Sequence, residues 1–142
     1  MQVRELMSTD VVTVPADGTV ADAVDRLLTA GVGSVIVVDS DDHPVGIVTE
    51  SDALRVARST GKPLSAIAVS EVGHQPVVTT TPSRSILTVA RRMADEGVKK
   101  VPVLDGVDLA GIVTLTDIVW QLPALRREAA GLASVREEWE PS

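Results

Sequence analysis

The chain has no cysteine, no phenylalanine and no tyrosine, and only three of its 142 residues are lysine. Without cysteine there are no disulfides, no thiolate metal sites and no thiol nucleophiles. Without Phe or Tyr, and with two Trp, the core has to be built from Val, Ile, Leu and Ala. Such residues pack well between a sheet and helices. Long apolar runs are also missing. Stretches such as Val35 to Val38 fall far short of the ~20 residues a membrane span needs. Met1-Gln2-Val3-Arg4-Glu5 lacks the charged-then-apolar order of a signal peptide, so a cytoplasmic protein is expected. Cations are scarce and the net charge is −7. Nucleic-acid affinity draws on Lys and Arg, so phosphate-backbone binding is disfavoured as the main role. Asp outnumbers Glu twelve to eight. An acidic, Lys-poor surface suits a high-salt cytoplasm, where salt screens carboxylate repulsion; a mildly acidic mesophilic protein fits the same composition.

What the chain does have is a copy of itself. Gly46-Ile47-Val48-Thr49 returns as Gly111-Ile112-Val113-Thr114, 65 residues later, and Asp52 returns as Asp117. Val11-Val12-Thr13 returns as Val77-Val78-Thr79, Gly31-Val32 as Gly97-Val98 and Asp39 as Asp105, all at a spacing of 66. The apolar stripe Val20, Ala23, Val24, Leu27, Leu28 is matched by Ile86, Val89, Ala90, Met93, Ala94. Both stripes have the spacing of one helix face.

Each repeat then reads in the same order. A lead-in comes first, Val3 to Met7 or Leu64 to Val72, followed by an extended piece, Val11 to Val14 or Val77 to Thr80. An amphipathic helix follows at 19–30 or 85–96, ending at Gly31 or Gly97, where a left-handed cap suits glycine. A strand comes next, Ser34 to Asp39 or Lys100 to Asp105. A polar turn leads to a second strand, Val45 to Thr49 or Leu109 to Thr114, and a second helix opens at Ser51 or Leu115. Ser59-Thr60-Gly61-Lys62-Pro63 reads as a linker. Gln121 to Trp139 reads as a terminal helix broken near Pro123, able to cap the module or contact a partner. The expected class is α+β, an α/β sandwich of two β-α-β-β-α repeats. They occupy 1–60 and 61–122, with a helical tail at 123–142. Half a repeat pair is too small to bury much surface alone. Two copies about a pseudo-two-fold axis bury their sheets together and duplicate the cleft between them.

The chemistry concentrates where the second strand meets the second helix. Thr49-x-x-Asp52 and Thr114-x-x-Asp117 have the form of a capping box, worth ~1 kcal/mol with no ligand present. They also suit binding. Free N–H groups at a helix start attract anions, and a carboxylate there can accept hydrogen bonds from a ribose diol. Gly46 and Gly111 would let backbone approach a ligand closely.

With Gly-h-h-Thr-x-x-Asp present twice (h, an apolar residue), each copy preceded by Gly-Val-x-x-h-h-h-h-Asp, the chain resembles a pair of CBS (cystathionine β-synthase) domains, a Bateman module. The resemblance covers residues 1 to about 120. It implies binding of adenosine-containing ligands, namely AMP, ADP, ATP or S-adenosylmethionine, as regulatory ligands rather than catalytic cofactors. By the resemblance Asp52 and Asp117 hold ribose, and Thr49 and Thr114 contact ribose or phosphate. Backbone near Val11 and Val77 meets adenine, while Val32, Gly33, Ser34 and Val98, Lys99, Lys100, Val101 line the sites. Lys99 and Lys100 stand where relatives place phosphate-binding bases. They also fit a solvated pair balancing Asp95 and Glu96. Strand alternation would send at most one of them into a given cleft. The first repeat has Gly33-Ser34 there instead, so the two sites should differ, and the Lys-bearing one should prefer the more phosphorylated ligand.

The remaining polar residues read as structural or surface groups. His43 and His74 have no acid or nucleophile at useful spacing. Ser34 and Ser51 lack triad partners. Asp39, Asp41 and Asp42 match no ligand loop and read as a solvated turn, so no metal is expected. Trp120 reads as a plug at one end of the core and Trp139 as an interface anchor. No catalytic set emerges, and a non-enzymatic sensor of adenylate status is the leading expectation. No effector domain is legible, so a homodimer or a separate effector protein would receive the signal. The alternatives are a ligand-free structural or interaction dimer, a nucleic-acid-binding relative, which the net charge opposes, and a nucleotide hydrolase.

Overall fold

The computed structural model of the chain describes residues 1–73 and 77–132. The first repeat contains β1 (Thr13–Pro15), α1 (Val20–Ala30), β2 (Ser34–Val38), β3 (Pro44–Thr49) and α2 (Glu50–Thr60). The second contains α3 (Ile86–Glu96), β4 (Lys100–Asp105), β5 (Asp108–Thr114) and α4 (Leu115–Trp120), and α5 (Leu122–Leu132) follows. The α+β class and the repeat architecture are as the sequence implies. Both amphipathic helices end at the glycines named above, Gly31 at φ 67° and Gly97 at φ 68°, a left-handed conformation that costs a Cβ-bearing residue free energy. The supposed linker is shorter than its composition suggests. Ser59 and Thr60 are helical, and their hydroxyls bond back to the Val56 carbonyl.

The repeats differ in their sheets. In the first, β1 runs parallel to β2, and β2 pairs antiparallel with β3. In the second, β4 and β5 are the strands among the described residues, and the expected strand at Val77–Thr80 is reduced to one bridge, Thr80 to Val103. Two prolines supply the cause: Pro82, at the place of Ala16, has no N–H to match the Ala16 bond to the Val38 carbonyl at 2.8 Å, and Pro102 removes another. Ile36 N–H donates to the Val12 carbonyl at 2.9 Å, but Pro102 holds the corresponding place in β4 and has no N–H to donate. Two bonds survive, Thr80 N–H to the Pro102 carbonyl at 3.0 Å and Leu104 N–H to the Thr80 carbonyl at 2.9 Å.

The lead-ins do not pack on the repeats they precede. Val3, fully buried, belongs to the second-repeat core with Ile86, Val89, Met93, Val101, Val103 and Val113. Val69 belongs to the first-repeat core with Val14, Ala23, Leu27 and Val35, and Ile67 packs with Val20 and Ala53. The hydrogen bonds cross in matched pairs. Val3 N–H donates to the Arg84 carbonyl and Val69 N–H to the Gly18 carbonyl; Ile86 N–H donates to the Met1 carbonyl and Val20 N–H to the Ile67 carbonyl. Each pair is one bond displaced by 66 residues, which is the pseudo-two-fold axis written in backbone contacts. Nothing in local periodicity could show this exchange, because it is a contact between distant segments.

The exchange also explains Gly111. A Cβ there would lie 2.6 Å from the Ser8 carbonyl oxygen and 3.1 Å from Met7 Sδ. The close approach expected of a ligand is made by the lead-in instead, with Ser8 and Ile112 exchanging backbone bonds at 2.9 Å. Gly46 similarly faces Gly73, where an added Cβ would come 3.5 Å from the Gly46 Cα. Trp120 is not a core plug, because it is 77% exposed. α5 does cap the second core, through Leu125. His74 and Trp139 lie outside the described residues.

Gly111→Ala is expected to destabilise the fold by about 1–3 kcal/mol, since backbone must move to admit the methyl group. Gly33→Ala meets only Lys100 Nζ at an ordinary 3.5 Å and serves as the control. Urea unfolding of the two variants checks this, and equal midpoints would refute it.

Candidate functional site

The Thr-x-x-Asp corners are capping boxes in fact as well as in form. Thr49 Oγ1 accepts the Asp52 N–H at 3.2 Å, and Asp52 Oδ2 accepts the Thr49 N–H at 2.9 Å. Thr114 and Asp117 repeat the pair at 3.1 and 3.4 Å. Thr19 and Asp22 make the same pair at the start of α1. The bond pattern alone therefore carries no ligand specificity. What distinguishes the first corner is the space in front of it.

Thr49 and Asp52 open on a cleft of about 560 Å³ whose far wall is Gly97, Val98, Lys99 and Lys100 of the second repeat. Gly33, Ile47, Glu50, Ser51 and Arg55 complete it. Asp52 is buried to 6% exposure, and its Oδ1 accepts from Arg55 at 3.2 Å. Asp52 has further interactions besides these. The Arg55 side chain remains 70% exposed. Both lysines line this cleft, against the alternation argument. Lys99 lies in the bend before β4, so the strand period does not govern it.

The second corner faces a smaller cleft of about 190 Å³, where Thr114 and Asp117 meet Val11, Val32, Gly33 and Ser34 of the first repeat. Lys100 lines this cleft too, its ammonium lying beside Gly33. Two expected lining residues are elsewhere. Val101 points from β4 into the second core, at 1% exposure. Val77 lines neither cleft, since the stretch it begins pairs with β4 only at Thr80.

The clefts differ in charge as well as size. In the first, Lys99, Lys100 and Arg55 outnumber Glu50 and Asp52. In the second, Lys100 is outnumbered by Asp10 and Asp117. Arg55 was missed from sequence, although its i+3 spacing from Asp52 puts both on one helix face. Ser8 and Asp10 could not be found in this way, because they reach the second cleft through the crossed lead-in.

The hairpin between β2 and β3 gathers Asp39, Asp41 and His43 with ligand atoms within 4.8 Å of one another, at an exposed turn. Asp39 Oδ1 accepts the Asp41 and His43 N–H groups, each at 2.9 Å. His43 does have an acid at hand, Asp39 Oδ2 at 3.8 Å from Nδ1. The turn needs no ion to account for its shape.

The CBS domain family model matches residues 3–59 and 69–123. An uncharacterised protein of Methanopyrus kandleri, MK0525, is 30% identical over 139 residues, 97% of this chain and 68% of that protein. The chain spans less of two Methanocaldococcus jannaschii relatives, 41% and 33% of their lengths. Among solved structures, a putative signal-transduction protein with CBS domains from Burkholderia ambifaria superposes with a TM-score of 0.78 at 26% identity, covering 100% of both chains. The CBS domain pair of protein MJ0100, solved with 5′-methylthioadenosine and S-adenosyl-L-methionine, gives 0.77 at 24% identity, covering 88% of this chain and 98% of that one. No helix among the described residues is long and apolar enough to cross a membrane.

The His43 N–H bond, foremost, and the Asp41 N–H bond hold the Asp39 carboxyl below the ordinary value of 3.8, against a smaller opposing effect of desolvation. Its stabilising effect is therefore present above the unfolded-state pKa and lost as pH falls through the lower folded value. A carboxyl-carbon NMR titration should place the Asp39 midpoint below 3.8; a midpoint at or above that value refutes the reading.

Proposed function

Because this chain belongs to the CBS domain family, we propose that it is a regulatory module whose first inter-repeat cleft binds a phosphorylated adenosine ligand. The observation that carries this reading is the joining, in one cleft of about 560 Å³, of the Asp52 corner from one repeat with Lys99 and Lys100 from the other. That volume lies within the ~300–1,000 Å³ range of small-molecule sites, and the 190 Å³ of the second cleft lies below it. The ligand class comes from the family resemblance, and the cleft supplies suitable chemistry. The Asp52 carboxylate accepts from a sugar diol, with the exposed Arg55 free to turn from it toward solvent or phosphate. Lys99 and Lys100 offer charge to a phosphate chain. Ile47 and Val98 offer apolar wall to a purine.

Adenosine ligands thus enter between repeats, and a ligand held by both sides favours one relative arrangement of the two. Differential affinity of this kind is what a sensor requires. No catalytic step is proposed. Two copies would pair through helices. Leu28 on α1, Leu54 on α2, Leu87 on α3 and Trp120 on α4 are 77%, 73%, 64% and 77% exposed, and α1 touches α2 as α3 touches α4. Such a dimer, or a separate effector, would receive the change.

Calorimetric titration with AMP, ADP, ATP and S-adenosylmethionine, at low and multimolar salt, tests the reading. Asp52→Asn, which keeps a cap acceptor, should weaken every adenosine ligand about tenfold or more. Lys99→Ala with Lys100→Ala should cost about 1.5–3 kcal/mol for each charged hydrogen bond lost, with ATP losing most and AMP least. No binding by the parent protein, or unchanged affinities in both variants, would end the proposal.

A further inference from the structure

The second repeat has a pocket with no counterpart in the charge pattern of the first. It encloses about 350 Å³ between the Thr79–Thr81 stretch, α3 and β4. Its polar lining among the described residues is Thr79, Thr80, Thr81, Arg84, Thr88 and Arg92, with no carboxylate. Val89 and Val101 lie at its floor, both buried. Two arginines meeting four hydroxyls, with no acid among the described lining residues, is unusual in a chain of net charge −7.

Comparison with the first repeat shows how the pocket arose. Displaced by 66 residues, Arg84 corresponds to Gly18, Thr88 to Asp22, Arg92 to Arg26 and Thr79 to Thr13. In the first repeat Asp22 closes the capping box of α1, and Arg26 donates to the Thr13 carbonyl, holding strand and helix together. In the second, Thr88 has replaced the acid and α3 keeps only a one-sided cap, Ser85 Oγ accepting from Leu87 N–H at 3.2 Å. Among the described residues neither Arg84 nor Arg92 has a carboxylate within ion-pair reach. An acid favourable at a helix start has given way to a hydroxyl, and a second guanidinium has been added. Pairing of this stretch with β4 is reduced to the two bonds of Thr80, since Pro82 and Pro102 have no N–H to give. Thr81, Leu104 and Gly106 also line an adjoining depression of about 320 Å³ that adds Arg4 and Asp105.

We propose that this pocket binds a small phosphate monoester, with Arg84 and Arg92 holding the phosphate and the threonine hydroxyls donating to its oxygens. Guanidinium forks match phosphate geometry, and hydroxyls supply further donors. The site lies inside the second repeat and shares no lining residue with either inter-repeat cleft, so it stands whether or not an adenosine ligand binds there. Phosphorylated metabolites could thus act on the module by a route separate from the adenosine clefts.

The test is a titration of the intact chain with inorganic phosphate and with ribose 5-phosphate, followed through the arginine Nε–H resonances. Saturable shifts are expected at Arg84 and Arg92 and not at Arg26, Arg58 or Arg91. Arg84→Ala with Arg92→Ala should weaken binding about tenfold or more, while Arg91→Ala on the same helix leaves it unchanged. Uniform, non-saturating shifts across all exposed arginines, unchanged affinity in the double variant, or an equal loss of binding in Arg91→Ala would each overturn the proposal.

Discussion

The crossed lead-ins hold this molecule together. A repeat of one small sheet and two helices leaves its sheet end open, and each opening is closed by the segment that precedes the other repeat. Val3 fills one core and Val69 the other, each with no exposed surface. The backbone bonds beside them fix the two repeats in register, so relative motion cannot occur without disturbing both cores. Burying a valine is worth roughly 1.5–3 kcal/mol, and a lost backbone bond exposes groups that seek water. The inter-repeat clefts are therefore bounded by a coupled frame, which is the condition for a ligand in one of them to be felt in the other half.

Much of this was legible because the chain is written twice. A single Thr-x-x-Asp reads as a cap; a second copy with the same upstream strand marks a repeated strand-to-helix corner. Both amphipathic helices and their terminal glycines were readable from period and punctuation. The β3–α2 and β5–α4 corners were readable from the Thr that ends each strand and caps each helix. What escaped were contacts between distant segments. Lead-in exchange, Ser8 against Gly111 and Asp10 in the second cleft all depend on topology, which no local pattern encodes. Two misses had a local signal. Pro102 inside a copied strand announces a lost bond, and the bend after Gly97 removes Lys99 from the strand's alternation. Val101, by contrast, followed that alternation into the core.

Duplication followed by divergence gives the molecule its asymmetry. The same corner is built twice, yet Lys99-Lys100 stands opposite Gly33-Ser34, and Arg55 corresponds to Trp120. The larger cleft thus has Arg55 and both lysines in its lining, and the smaller has Lys100 with Asp10 and Asp117. Trp120, carried out to the surface where Arg55 faces its cleft, becomes apolar area on the helical side. A single internal repeat thus yields a cleft-lining residue in one copy and a surface residue in the other.

The same logic reaches the sheets. Where β1 pairs fully with β2, the groove between strand and helix is bridged by Arg26, and Asp22 is spent on the helix cap. Where Pro82 and Pro102 leave only Thr80 paired to β4, the corresponding groove has Thr88 in place of the acid. A helix can forgo a reciprocal cap worth about 1 kcal/mol when burial holds it in place, and Ile86, Val89 and Met93 are all buried along α3. Stability supplied by the core thus permits local chemistry to change at the rim. That is why the two repeats can share one architecture while presenting different surfaces.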